Sequence, residues 1–230
     1  MNQRNEENNR VEVEMTADGS ATLFVQSLDE HYHSIKGALT ESNHIYRDCA
    51  FKHHYNQSPT PIRPLRLLEI GFGTGLNACV TAMIADSKHP VHYISLEKYP
   101  LEHTVLKKLH YGQLVDKHLF QAIHQAAWDT PVSITPHFTI EKRCTDYLTD
   151  KLPENIDIVY FDAFAPEKQP EMWTASAFER LIAVMNNQAT LTTYCAKGEI
   201  RRRLASLGLE IERIPGPAGG KREILRGTKK

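Results

Sequence analysis

Leu67-Leu-Glu-Ile-Gly-Phe-Gly-Thr-Gly-Leu-Asn77 is the stretch on which the reading of the whole chain turns. A short apolar run ends in an acid at Glu69, three glycines alternate at Gly71, Gly73 and Gly75, and a helical pattern starts near Leu76. That order describes a strand, a tight turn and a helix. Glycines allow positive φ and let a ligand lie against bare backbone. The helix that follows offers N–H groups without partners of its own. A dinucleotide-binding turn uses G-x-G-x-x-G to seat a pyrophosphate, whereas the spacing here is acid-x-G-x-G-x-G. A carboxylate at that point repels phosphate and favours a cationic ligand. S-adenosylmethionine (SAM) carries a sulfonium and an amino group and no phosphate, which favours a methyltransferase over a dehydrogenase.

Outward from this turn the pattern alternates strand and helix, as a doubly wound sheet requires. Leu76 to Ala85 reads as a helix and Val91 to Leu96 as a strand ending at Glu97. Leu101 to Leu109 and Leu114 to Trp128 read as helices, the second stopped by Asp129-Thr-Pro131. His137 to Glu141 is a strand, followed by Cys144-Thr-Asp146. Ile156 to Phe161 is a continuous apolar run, the mark of a strand buried on both faces, and it ends at Asp162. Thr174 is placed to cap a helix running to Met185. Ala189 to Tyr194 is a strand, and Lys197 to Ser206 a helix closed by Gly208. Leu209 to Ile214 and Glu223 to Arg226 form a final antiparallel pair around Pro215-Gly-Pro-Ala-Gly-Gly220. The fold class is α/β: a Rossmann-like, mostly parallel seven-stranded sheet with an antiparallel last strand.

Ahead of the turn, residues 1–10 are polar and expected to be disordered. Val11 to Met15 and Ala21 to Val25 alternate with strand period around Asp18-Gly19, a hairpin signal. A helical segment follows, up to the proline-rich connector Ser58-Pro-Thr-Pro-Ile-Arg-Pro64. Residues 1–60 therefore read as an N-terminal extension and 61–230 as the catalytic domain. His31 and His33 lie in the extension with no second pair at helical spacing, so they suit a surface or a substrate better than a metal.

At 230 residues with a net charge of −1, the chain suits one α/β core, and bulk charge gives no nucleic-acid signature. From Lys197 onward, however, basic residues outnumber acids. That end is either an RNA-facing rim or a solvated surface. Cys49, Cys79, Cys144 and Cys195 form no C-x-x-C and read as free thiols in a reducing compartment. The polar start is no signal peptide and no run reaches membrane-spanning length. A cytoplasmic protein is the expectation.

Two constellations carry chemistry. Glu69, Glu97, Asp146 and Asp162 end successive strands, where open α/β sheets bind ligands. Glu97 suits ribose hydroxyls and Asp146 the adenine amino group. The second is Asp162-Ala-Phe-Ala-Pro-Glu-Lys-Gln-Pro-Glu-Met-Trp-Thr174, in which prolines stiffen a loop carrying Phe164, Pro166 and Trp173 beside a carboxylate. That arrangement either stacks a base and holds an amine, or is a connector with its aromatics in the core.

Together with Ser95-Leu-Glu-Lys-Tyr-Pro100 and Gly219-Gly-Lys-Arg-Glu223, these motifs resemble the methyltransferase domain of the MnmC family, which makes 5-methylaminomethyl-2-thiouridine at the tRNA wobble position. The similarity runs in order from about Thr16 to the end. It implies that Glu69, Gly71, Gly73, Gly75, Asn77, Glu97, Asp146 and Asp162 surround SAM and the amine, with Asp162 as the catalytic group. Phe164, Pro166 and Trp173 then face the wobble base, and Lys197, Arg201, Arg202, Lys221 and Arg222 the phosphates of the tRNA anticodon stem-loop. The chain ends where the family's FAD-dependent oxidase domain would begin. The resemblance is thus to a stand-alone methyltransferase, with SAM but no FAD or metal, acting after upstream wobble-modification enzymes. An N-methyltransferase of another amine and a polyamine aminopropyltransferase-like enzyme are the alternatives.

Overall fold

The computed structural model describes residues 11–57 and 63–230; the first ten residues and the expected boundary at 60/61 lie outside them. The apolar runs form one sheet. Its strands are β4 (Leu65–Ile70), β5 (Val91–Glu97), β6 (Val132–Thr135), β7 (Phe138–Cys144), β8 (Ile156–Phe161), β9 (Met185–Thr193), β10 (Leu209–Pro215) and β11 (Glu223–Lys229). They lie in the order β10-β11-β9-β8-β4-β5-β7-β6. β4 sits centrally, parallel to both β5 and β8. Every residue of β8 is buried, because helices cover both faces of a parallel sheet.

Side chains alternate across the sheet, and two cores result. Leu67, Tyr93, Ile140, Ile158 and Tyr160 pack on one face with α2 (Leu76–Ala82), α3 (His103–Lys108) and α4 (Lys117–Gln125). Leu68, Ile70, Leu96, Val159 and Phe161 pack on the other with α5 (Ala175–Val184) and α6 (Gly198–Ser206). Full burial of one such Leu or Phe stabilises by about 1.5–3 kcal/mol. Thr174 caps α5 as expected, its side chain accepting from the Ala177 amide.

β11 runs antiparallel to both β9 and β10, so the reversed last strand is present. The sheet has eight strands, not seven, because β6 adds an antiparallel edge to β7 with a shift between Ser133 and Thr135. Three half-exposed residues and one exposed one, just after Pro131, leave little periodicity to detect. β9 also starts earlier than expected, at Met185, where its pairing with β8 is irregular.

The described part of the extension, 11–57, packs on the first core and reaches the turn after β4, where Tyr32 meets Gly73. β1 (Val11–Met15), β2 (Ala21–Val25) and β3 (Glu30–His31) form a separate small sheet. A helical rod, α1, follows: α-helix over Ala38–Glu41, π-helix over Ser42–Lys52 and α-helix again over His53–Gln57. The rod buries Ile45, Tyr46, Ala50 and Phe51 against the first core. The Tyr111 hydroxyl ties the hairpin to the domain by donating to the Ala21 carbonyl at 2.7 Å.

Candidate active site

The glycine turn takes the backbone its sequence demands, with φ of +90° at Gly71, +49° at Gly73 and +72° at Gly75. At Gly71 an added Cβ would stand 2.8 Å from the Asp162 carbonyl oxygen, and at Gly73 2.8 Å from the Tyr32 ring. Both positions therefore need a bare backbone. The turn borders a cavity of about 900 Å³ at the C-terminal ends of β4, β5, β7 and β8, where ligands of open α/β sheets bind.

Of the sequence-derived set, Gly71, Gly73, Glu97, Asp146, Asp162, Phe164 and Lys221 line this cavity together. Glu97 accepts from the Gly73 amide at 3.0 Å and the Tyr99 amide at 2.9 Å, which fixes its carboxylate beside the turn. Asp146 pairs with Lys98 at 2.8 Å and accepts from the Leu148 amide at 2.9 Å. The hydrogen bond from Lys98 holds its carboxyl below the usual range.

Asp162 forms part of the cavity wall with both oxygens engaged. The Tyr46 hydroxyl donates to Oδ1 at 2.6 Å and the Asn77 side-chain amide to Oδ2 at 2.8 Å. Burial raises its carboxyl above the usual range; His33 and the Tyr46 hydrogen bond oppose that shift. A carboxylate held this way still has lone pairs free for one more donor.

Glu69 is placed elsewhere. It is fully buried and is not among the cavity residues. Ser95 donates to it at 2.7 Å and the same Asn77 amide at 3.1 Å. Burial pushes its carboxyl up to about 8, so at neutral pH it is a neutral group behind the turn. Asn77 and Gly75 likewise support the turn from behind: Gly75 precedes α2, and Asn77 joins Glu69 to Asp162.

Trp173 faces the core. It is 1% exposed, lies edge-on to Phe161 at 4.9 Å, and donates from its indole to the Phe164 carbonyl at 2.7 Å. It thereby pins the loop that presents Phe164, whose ring meets Tyr32 edge-on at 5.1 Å. Pro166 is in the same loop but outside the cavity lining. Lys197, Arg201, Arg202 and Arg222 are exposed outside the cavity; Lys197 is ion-paired with Glu167.

The extension supplies residues that sequence reasoning did not assign to the site: Tyr32, Glu41 and Tyr46. Tyr32 and Glu41 line the cavity, as does His33, whose ring nitrogen lies 2.8 Å from the Thr74 hydroxyl. Tyr194, at the end of β9, joins them. Only the two-residue spacing of His31 and His33 drew notice in sequence, and nothing local linked it to Asp162. Among the described residues no group of three or more His, Cys, Asp or Glu could hold a metal. None of their helices is long and apolar enough to cross a membrane.

Residues 117–230 match a family described as S-adenosyl-L-methionine-dependent methyltransferase. The chain is 31% identical over 248 residues to the tRNA 5-methylaminomethyl-2-thiouridine biosynthesis bifunctional protein MnmC of Hydrogenovibrio crunogenus, covering 95% of this chain and 34% of that protein. The corresponding protein of Paraburkholderia xenovorans is 32% identical over 225 residues, covering 90% and 33%. The chain thus spans about a third of the length of the curated relatives it matches. Among solved structures, MNMC2 from Aquifex aeolicus superposes with a TM-score of 0.74 at 23% identity, covering 96% of this chain and 71% of that one. Spermidine synthase from Thermotoga maritima gives 0.56 at 12% identity, covering 96% and 74%. At those identities the two structures establish the shared fold.

Proposed function

This chain belongs to the S-adenosyl-L-methionine-dependent methyltransferases, in the group that includes the matching part of MnmC, and on that premise we propose that it methylates the primary amine of 5-aminomethyl(-2-thio)uridine at the tRNA wobble position. The observation that carries this reading is Asp162, a carboxylate in the cavity wall beside the glycine turn, oriented by Tyr46 and Asn77.

The bare backbone at Gly71 and Gly73 and the fixed carboxylates of Glu97 and Asp146 fit SAM, and these residues would hold it. When bound, it supplies an electrophilic methyl group on a positively charged sulfur. The chain's own residues then have to orient an amine and manage one proton. An alkylammonium has no lone pair, so the substrate nitrogen must be deprotonated before it attacks. Asp162 accepts a hydrogen bond from that nitrogen, aims it and takes or relays the proton; its raised carboxyl makes it a better base than an ordinary aspartate. Bringing two reactants into line accounts for most of the acceleration. Phe164 borders the target base, while Trp173 and Pro166 set the loop that carries it.

Lys197, Arg201, Arg202 and Arg222 are the groups for phosphates of the anticodon stem-loop, contacts that position without reading sequence. The aminomethyl substrate has to be freed first, by an upstream wobble-modification enzyme. Four unpaired cysteines agree with the cytoplasm.

Mass spectrometry of wobble nucleosides from a strain lacking this protein should show accumulation of the unmethylated amine; an unchanged profile would refute the assignment. In purified protein, Asp162→Ala should keep SAM binding and lose turnover by about 10²–10⁴-fold. Unchanged turnover would remove Asp162 from the mechanism.

A further inference from the structure

Beside Asp162 the cavity exposes a second carboxylate that the scheme above leaves unused. Glu41, near the start of the rod, is only 6% exposed and yet lines the cavity. Its negative charge reaches Asp162 and helps raise that carboxyl. The Ser34 amide donates to its Oε2 at 2.8 Å and aims it. Its other oxygen pairs with the Lys221 ammonium at 3.3 Å, the one cation it meets among the described residues.

The two partners are held very differently. The Glu41 side chain is 7% exposed and that of Lys221 40%. Lys221 comes from the loop between β10 and β11, next to Gly219 and Gly220. Its ammonium also lies 3.7 Å from the centroid of the Tyr194 ring, a cation–π contact inside the cavity. A lysine ammonium is a point charge on a flexible stem, and a partly exposed ion pair costs little to break. A buried carboxylate stripped of its cation is costly to leave unpaired. The cavity end formed by Glu41, Asp162 and the Tyr194 ring therefore suits a cation, and in this structure the chain fills it with its own.

We propose that Glu41 makes the cavity select a cationic amine, and that Lys221 occupies its carboxylate until the substrate's ammonium group displaces it. Glu41 is then a specificity-determining residue and Lys221 a resident counter-ion, not a phosphate contact. Substrate enters as an ammonium against Glu41 and passes its proton to Asp162 before the nitrogen attacks. This inference rests on the amine-methyltransferase reading given above.

The experiment uses the full chain, SAM and tRNA bearing 5-aminomethyl-2-thiouridine, with steady-state kinetics for wild type, Glu41→Gln and Lys221→Met. SAM affinity is measured separately by calorimetry. Glu41→Gln should raise KM for the tRNA at least about tenfold, a larger change than in kcat, with SAM affinity intact. Lys221→Met should move KM the opposite way, downward by about two- to fivefold, since a competitor for the carboxylate is gone. A brace that merely holds the fold would send both variants in the same direction and disturb SAM affinity as well. A phosphate contact at Lys221 would raise KM in Lys221→Met. Either result overturns the proposal, as does an unchanged KM in Glu41→Gln. Absence of product from wild type would sink the amine-methyltransferase reading itself; product from wild type with the wrong pattern of KM values sinks only the role of Glu41.

Discussion

Glu69→Gln tests whether the acid before the glycine turn is neutral in the folded protein. Its ordinary value of 4.5 is carried to about 8, burial being the largest cause. The folded state therefore keeps a proton that the unfolded chain sheds. That contributes stability fully present below 4.5 and lost as pH rises through about 8. Integrating the linkage for one such group between about pH 6 and about pH 8.5 gives a loss on the order of 2.5 kcal/mol. Glutamine copies the shape of the protonated acid and cannot ionise, so the variant should lack this slope. The assay is urea unfolding of both proteins across that range, followed as the difference between variant and wild type. The difference should move in favour of the variant by about 2.5 kcal/mol with rising pH. Parallel profiles would show that Glu69 is already ionised behind the turn and that the reasoning is wrong.

Lys142 is the mirror case: it is 1% exposed, its ammonium donates to the His124 carbonyl at 3.0 Å and lies 5.0 Å from the centroid of the Trp128 ring. Burial pushes its ammonium down to about 8, so wild-type stability should rise with pH between about 8 and 10.5. Lys142→Met should stabilise the protein at neutral pH by on the order of 1 kcal/mol, read from urea midpoints; a less stable variant would mean that the charge is favourably held. Reversing Arg201 and Arg202 to Glu should weaken tRNA binding most at low salt, with a shallower dependence on salt concentration. Equal affinity across salt concentrations would assign both to an ordinary solvated face.

The chemistry legible in the sequence was the part carried by local order. A strand, an acid and three glycines gave the turn, and the apolar run of β8 gave its burial on both faces. The acids Glu97, Asp146 and Asp162 do converge on one cavity, because parallel strands bring their C-terminal ends to one edge. Glu69 carried a signal that was passed over. Strand period two puts it on the same face as Leu67, and it pairs in register with Ser95 and Tyr160 inside the sheet. Trp173 offered no such clue, since a tryptophan after two prolines looks alike whether it faces a ligand or a core. Glu41 and Tyr46 were illegible for another reason, and His33, which the sequence assigned to a surface or a substrate, could not be tied to Asp162. They reach the cavity through contacts between residues more than forty positions apart, such as Tyr46 with Asp162 and His33 with Thr74, and no local pattern encodes those.

The rod has a consequence for how such an enzyme can change. Glu41, which lines the cavity, and Tyr46, which donates to Asp162 in its wall, come from before the proline-rich connector, whereas the glycine turn, Glu97, Asp146 and Asp162 itself come from after it. The wall around Asp162 is thus assembled from both stretches of the chain, while Glu97 and Asp146 come from the later one. Substitutions at Glu41 or Tyr46 would change the surroundings of Asp162 while the residues at Glu97 and Asp146 stay as they are.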